Sequence, residues 1–237
     1  MTGINLEEGY VLSVDKPYGW TSTDVVRKVK FGLQRAGHRK LKVGHAGTLD
    51  PLATGVLLIC LGRATKRVEE LQAETKEYVT ELMFGATTPS YDLEHEIDRT
   101  FPYEHITHEM LERAATELCG ERLQTPPAYS AKKIDGLRAY EYAREGAEVE
   151  MKRATVHIHA IEVLEFTPPR ARLRIECGKG TYIRSIAMEL GELLGSGAHL
   201  VSLRRTRSGD FAAAEGLSIE DVENFLLRVK QNRDSYV

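Results

Sequence analysis

Six consecutive apolar residues, Val56-Leu57-Leu58-Ile59-Cys60-Leu61, closed by Gly55 and Gly62, set the strongest constraint on how this chain can fold. A run this short and continuous reads as a strand covered on both faces, so it belongs to the core of a sheet. Tyr78 to Phe84 and Thr155 to Phe166 read as further strands, and Ala171 to Cys177 alternates apolar and charged residues as a half-exposed strand does. Helical spacing appears at Val25, Val26, Val29 and Leu33, after the capping candidates Thr21 and Ser22 and before a terminating Gly37. It returns in Ile106 to Leu118, in Ile183 to Leu194, and after Ser218, where Ser218 and Asp221 fit a capping box. Strands and helices mix without the regular alternation of a doubly wound fold. The expected class is therefore α+β (mixed α/β), a single domain over residues 1–237 built on a largely antiparallel sheet. Residues 124–151, with Pro126-Pro127, Gly136 and Gly146, read as an excursion from that sheet.

Composition excludes several classes. At 237 residues and 42% hydrophobic content the chain can bury a sizeable core. No window approaches the ~18 apolar residues of a membrane span, and the N-terminus lacks a signal-peptide build, so a cytoplasmic protein with no membrane partner is expected. Cys60, Cys119 and Cys177 are widely spaced and form no C-x-x-C pair, so buried, reduced thiols are expected. The formal charge of -3 hides a segregation: seven Lys/Arg and no acid lie between Val25 and Leu49, and a second basic run is Arg204, Arg205 and Arg207. Such runs form a solvated face or a nucleic-acid face.

The densest chemical signal is Gly44-His45-Ala46-Gly47-Thr48-Leu49-Asp50-Pro51-Leu52-Ala53-Thr54-Gly55. Its glycines open backbone geometries closed to other residues, and Pro51 restricts Asp50 toward extended conformations. The carboxylate is thereby presented into a cleft, or it caps the turn that Pro51 begins. Two other signals fail. Gly178-Lys179-Gly180-Thr181 lacks the spacing of a phosphate loop, and His157 with His159 shares a face but has no third ligand at a credible spacing, so no metal is expected.

The Gly44–Gly55 string resembles the signature of the TruB family, bacterial tRNA pseudouridine-55 synthases, and other segments resemble that family in the same order. These are Lys16-Pro17-Tyr18-Gly19-Trp20-Thr21-Ser22, Leu61 to Lys66 with Lys76-Glu77-Tyr78, and Gly85 to Asp92. They continue with Pro126 to Lys133 and Tyr140 to Gly146, then Cys177 to Arg184 and Gly197 to Arg205. Ala46 stands where many members have Thr.

The resemblance implies a pseudouridine synthase fold with a thumb-like insertion at about 124–151. It implies a cofactor-free enzyme that flips out the T-loop uridine of tRNA, at position 55, and isomerises it. Asp50 is implied as the essential carboxylate, Arg184 as its ion-pair partner and Tyr182 as the group against the base that helps remove the C5 proton. Tyr78 is implied as an aromatic platform for the flipped base; read locally, it is an ordinary strand tyrosine. His45 and Lys132 are expected to contact the RNA, and Lys16 with Pro17 to support the loop or simply form a surface turn. The T-arm is the expected partner, with no guide RNA and no protein partner. A tRNA-binding or tRNA-folding module without catalysis is the alternative. With only a helix and a polar tail after Ser218, no C-terminal PUA domain is expected, and an isolated T-arm should serve nearly as well as whole tRNA.

Overall fold

A computed structural model describes residues 6, 8–130, 133–134, 137–138 and 151–234. The chain divides into two compact units, Met1–Lys76 with Arg204–Val237, and Glu77–Leu203.

In the first unit, β3 (Ala53–Leu61) is the central strand. β1 (Tyr10–Lys16) runs antiparallel to it from Tyr10 opposite Leu61 to Lys16 opposite Gly55, and β2 (Val43–Ala46) pairs with its residues 58–61. The same residues of β3 thus serve both neighbours, which puts β1 and β2 on opposite edges. That is why the run is apolar throughout: Val56 to Leu61 are all 0–1% exposed. Ala46, Val56, Leu58 and Cys60 pack with Ala64 from a short 3-10 turn (Gly62–Arg67), Leu71 of α2 (Val68–Ala73) and Ala213.

α1 (Ser22–Arg35) begins as its sequence predicts. Thr21 accepts the Asp24 N–H and the Asp24 carboxylate accepts the Thr21 N–H, a complete capping box. Its end is a Schellman turn: Gly37, at φ 89°, donates to Gln34, and His38 donates to Leu33. Val25, Val29 and Leu33 are buried to within 1%. The last helix of the chain (Ile219–Asp234) is capped by Ser218 and Asp221 and crosses α1 closely. A Cβ on Gly32 would stand 2.4 Å from the Leu226 side chain, and Lys28 pairs with Glu223.

The second unit contains β4 (Lys76–Phe84) from Glu77 on, and its Tyr78, Thr80, Leu82 and Phe84 point into the core. It lies beside β11 (Arg170–Cys177), which pairs antiparallel with β10 (Ala154–Thr167), and β10 pairs antiparallel with β7 (Gly120–Gln124). β5 (Ala86–Thr87) with β6 (Arg99–Thr100), and β8 (Lys133–Ile134) with β9 (Leu137–Arg138), are two-residue antiparallel pairs. Among the described residues, two helices complete the unit, α3 (His108–Glu117) and α4 (Ile183–Leu193); in order of description the helix Ile219–Asp234 is α5. A long strand, β12 (Ala198–Ser208), starts in the second unit and ends in the first, where it pairs with β13 (Phe211–Ala212).

The class is α+β, with antiparallel pairing throughout the strand registers just named. Cys60 and Cys177 are buried free thiols as expected; Cys119 is only partly buried, because it follows α3 and its thiol caps the Ala115 carbonyl at 3.3 Å. Among the described residues, no helix is long and apolar enough to cross a membrane. The expected insertion departs where β7 ends, but most of it, including Lys132, lies outside the described residues.

Candidate functional site: an anchored aspartate loop

Asp50 lies half-buried in the loop between β2 and β3, and three side chains from distant segments fix the backbone around it. Ser22, 3% exposed at the start of α1, holds both polar groups of the preceding residue: its hydroxyl accepts the Leu49 N–H at 2.8 Å and donates to the Leu49 carbonyl at 3.0 Å. Lys16, at the end of β1 and fully buried, directs its ammonium protons at the carbonyls of Trp20 (2.6 Å), Pro17 (3.1 Å) and Pro51 (3.3 Å). The Pro51 carbonyl also accepts the Gly19 N–H at 2.9 Å, so the residue after Asp50 is gripped from two sides. Arg205, 2% exposed, donates to the carbonyls of Gly47 (3.1 Å), where the loop begins, and Val56 (2.7 Å), in β3 beyond it. Gly47 and Gly55 sit in the left-handed region that favours glycine. Gly55 sits at φ 101°, and a Cβ there would lie 2.1 Å from the Arg205 carbonyl oxygen.

Burying an ammonium disfavours its charge. Desolvation lowers the Lys16 pKa from 10.5 to about 8, and the nearby Asp50 carboxylate is the largest influence opposing that fall. Lys16 is thus buried against loop carbonyls and does not stand on an exposed turn.

Arg184, Tyr182 and Tyr78 belong to the second unit. Arg184, in the first turn of α4, is 3% exposed; its Nη1 donates to the Ser90 carbonyl at 3.2 Å and its Nε lies 3.8 Å from the Asp92 carboxylate. Asp92 is itself fixed, accepting the Ser90 hydroxyl at 2.6 Å and the Glu94 N–H at 3.0 Å. Tyr182 is the N-cap of α4, with both backbone groups bonded to the side chain of Gln124. Tyr78 faces the core side of β4 and is 9% exposed, the environment of a packed strand tyrosine. His45 is half-buried on β2 of the first unit.

Charge in the first unit is focused where the sequence segregates it. Arg39, Lys40 and Lys42, after α1, face Arg63 and Lys66 of the following turn across open clefts of about 750 and 990 Å³; Lys30 and the acid Glu69 border the larger one. The second basic run behaves differently from the expectation of a basic face. Arg205 is buried as a loop clamp, and Arg204 is tied to Asp15 at 2.8 and 3.0 Å. Successive residues of a strand point to opposite sides, so a run of arginines on β12 cannot form one surface.

Sequence reasoning passed over Ser22, Arg205, Gln124 and Asp92 as site supports. Ser22 was visible as a helix-cap candidate and as the end of a motif, and Asp92 and Arg205 only as the ends of motifs.

Residues 33–183 match the TruB family pseudouridylate synthase N-terminal domain, and residues 184–237 match the tRNA pseudouridylate synthase B C-terminal domain. A tRNA pseudouridine synthase B of Phocaeicola vulgatus is 53% identical over 224 residues, covering 94% of this chain and 95% of that protein. Its counterpart in Bacteroides thetaiotaomicron is 52% identical over 236 residues, covering 98% of each. Among solved structures, the crystal structure of a Cbf5-Nop10-Gar1 complex contains a similar chain, with a TM-score of 0.72 and 30% identity. The likeness covers 96% of this chain and 57% of that one, so this chain spans little more than half of that neighbour.

Proposed function

From the premise that this chain belongs to the TruB family of pseudouridylate synthases, we propose that it isomerises the T-loop uridine of tRNA, position 55, to pseudouridine. The observation that carries the reading is Asp50 itself, a half-buried carboxylate on a loop that Ser22, Lys16 and Arg205 hold in place.

The reaction breaks the bond from N1 to the ribose, turns the base, joins C5 to the same ribose carbon, and removes the C5 proton while N1 takes one up. Atoms balance within the substrate, with no oxidant and no energy source. Cleavage develops positive charge at the sugar, which an anion stabilises; Asp50 supplies it, as nucleophile at the ribose carbon or as base toward the 2′ position. Preorganisation gives the anchors their purpose: a carboxylate already aimed needs no reorganisation as charge develops.

Arg184 is assigned as the cation that pairs with the catalytic carboxylate, and Asp92 with Ser90 supports its guanidinium. Tyr182 is assigned to the base and the removal of its C5 proton. Tyr78 is assigned as the aromatic contact of the flipped base, which requires the entering base to reach a ring that is almost covered. His45 and Lys132 are assigned to RNA contact. The basic clefts of the first unit suit the phosphates of the T-arm, and no guide RNA or protein partner enters the reading. The enzyme would act on tRNA in the cytoplasm and needs no cofactor.

One experiment tests this reading against its rivals. Purified protein is incubated alone with unmodified tRNA and the pseudouridine is mapped. Conversion confined to the T-loop uridine is expected. Binding without conversion would make the chain a tRNA-binding or tRNA-folding module, and conversion only with added guide RNA and proteins would make it part of a larger particle.

A further inference from the structure

The N-terminus of α4 is latched to the end of β7 by a side chain that the reaction scheme above does not use. Gln124, 1% exposed, is the last residue of β7. Its Oε1 accepts the Tyr182 N–H at 2.8 Å and its Nε2 donates to the Tyr182 carbonyl at 3.3 Å, so one amide grips both backbone polar groups of one residue. The Gln124 side chain also hydrogen-bonds the Glu189 carboxylate, further along α4. Glu189 in turn lies 3.1 Å from the guanidinium of Arg122, two residues before Gln124 on the same strand. These partners fix which way the amide points. Reversed, it would set its NH2 against the Tyr182 N–H and its carbonyl against a carboxylate. Burial pushes the Glu189 carboxyl above its usual range, and Arg122 and the amide oppose that rise.

Tyr182 needs such help. It occupies the N-cap position at φ -100° and ψ 112° with no side-chain cap of its own, since a phenol cannot fold back onto the first turn. Its carbonyl also accepts the Ile186 N–H at 3.2 Å. A second tie from the Ser185 hydroxyl to the Thr125 carbonyl, at 2.8 Å, holds the same two segments together. A small rotation at the Tyr182 backbone is multiplied along its side chain, and a displacement of about 1 Å at a reacting group is enough to cost ~100-fold in rate.

We propose that Gln124 is a positioning residue for Tyr182: its amide, steadied by Glu189, fixes the backbone from which the phenol is aimed at the uridine base. This rests on the role given to Tyr182 above.

The test is single-turnover pseudouridine formation on unmodified tRNA, with tRNA affinity and urea unfolding measured on each variant. Gln124→Leu should lower the rate about 10- to 100-fold while leaving tRNA affinity within about twofold. In a Tyr182→Phe background no hydroxyl remains to be aimed, so Gln124→Leu should cost less than about threefold more. Gln124→Glu keeps size and fold but sets two carboxylates together, and should lose about tenfold. Adding Glu189→Gln restores the amide–carboxylate bond with roles exchanged and should recover most of that loss. Equal losses in the Tyr and Phe backgrounds, or no recovery in the exchanged pair, would overturn the proposal, because a merely structural role behaves that way. A Tyr182→Phe enzyme at full rate removes the role of Tyr182 and the proposal with it. A slow Tyr182→Phe beside a full-rate Gln124→Leu removes the proposal alone.

Discussion

Truncating Ser22 to Ala is the most direct test of whether the Asp50 loop is held by side-chain bonds to its backbone. The hydroxyl serves both the N–H and the carbonyl of Leu49, and Ser22 and Leu49 are each 3% exposed, so no bulk water stands ready to replace it. Stranding a buried backbone group costs about 1–3 kcal/mol, and two are stranded; the buried hydroxyl's own desolvation is recovered, leaving a net loss of about 2–4 kcal/mol. Against a typical total of about 5–15 kcal/mol that is a large fraction. The neighbouring Thr21→Ala is the control. It removes the α1 cap, worth about 1 kcal/mol, but leaves Leu49 bonded. Urea midpoints at constant slope give the stabilities, and single-turnover conversion of tRNA gives the rate. Ser22→Ala should unfold earlier than Thr21→Ala and convert tRNA at least about tenfold more slowly, since the residue before the carboxylate has lost its anchor. If Ser22→Ala matches Thr21→Ala in stability and keeps full rate, the clamp does not hold the loop and the argument from preorganisation fails.

Asp50→Asn should abolish conversion while tRNA affinity stays within a few-fold, as measured by quench and filter-binding assays; turnover in a preparation free of wild-type enzyme would refute its role. Neutralising Lys40 and Lys42 together, at the basic clefts, should flatten the plot of log K for tRNA against log salt by about one to two units, and an unchanged slope would move the RNA elsewhere. Lys16 makes a prediction in pH. Its pKa is about 8 folded and 10.5 as the reference, so between those values the unfolded chain holds a proton that the native chain has released. The stability of the wild type relative to Lys16→Met should therefore rise with pH across roughly 8 to 10.5, by at most about 1.4 kcal/mol per unit, and stay level below 8. A relative stability that falls over that window would refute the buried-ammonium account.

What the sequence disclosed follows from where the information sits. Val56 to Leu61 is readable because a strand flanked on both edges and covered on both faces must be apolar at every position. α1 is readable from Thr21 to Gly37 because its caps are chemical and local. β1 and β12 went unnamed because their patterns are diluted by charged residues whose burial depends on distant partners. Arg205 is the clearest case. An arginine beside another arginine reads as solvent-facing, since charged residues are almost never fully buried unless paired. Its partners are two backbone carbonyls, 158 and 149 residues away, which any amino acid could supply.

The same reasoning explains why the residues proposed for the reaction could be nominated from the sequence and their supports could not. The chemistry proposed here calls for a carboxylate, a tyrosine and an arginine at set places in a family motif, so Asp50, Tyr182 and Arg184 could be proposed from the motifs that hold them. A support must only place a donor or acceptor at the right point. Ser22, Gln124 and Arg205 all act on backbone groups, and backbone groups leave no trace in a sequence. The glycines are the partial exception. Gly55 has to be glycine because the Arg205 backbone passes where its Cβ would be, so the close approach is written in the sequence although the segment that makes it is not. Loops that present a catalytic group are therefore legible through the residues they exclude, and their anchors emerge only when the backbone they grip is seen.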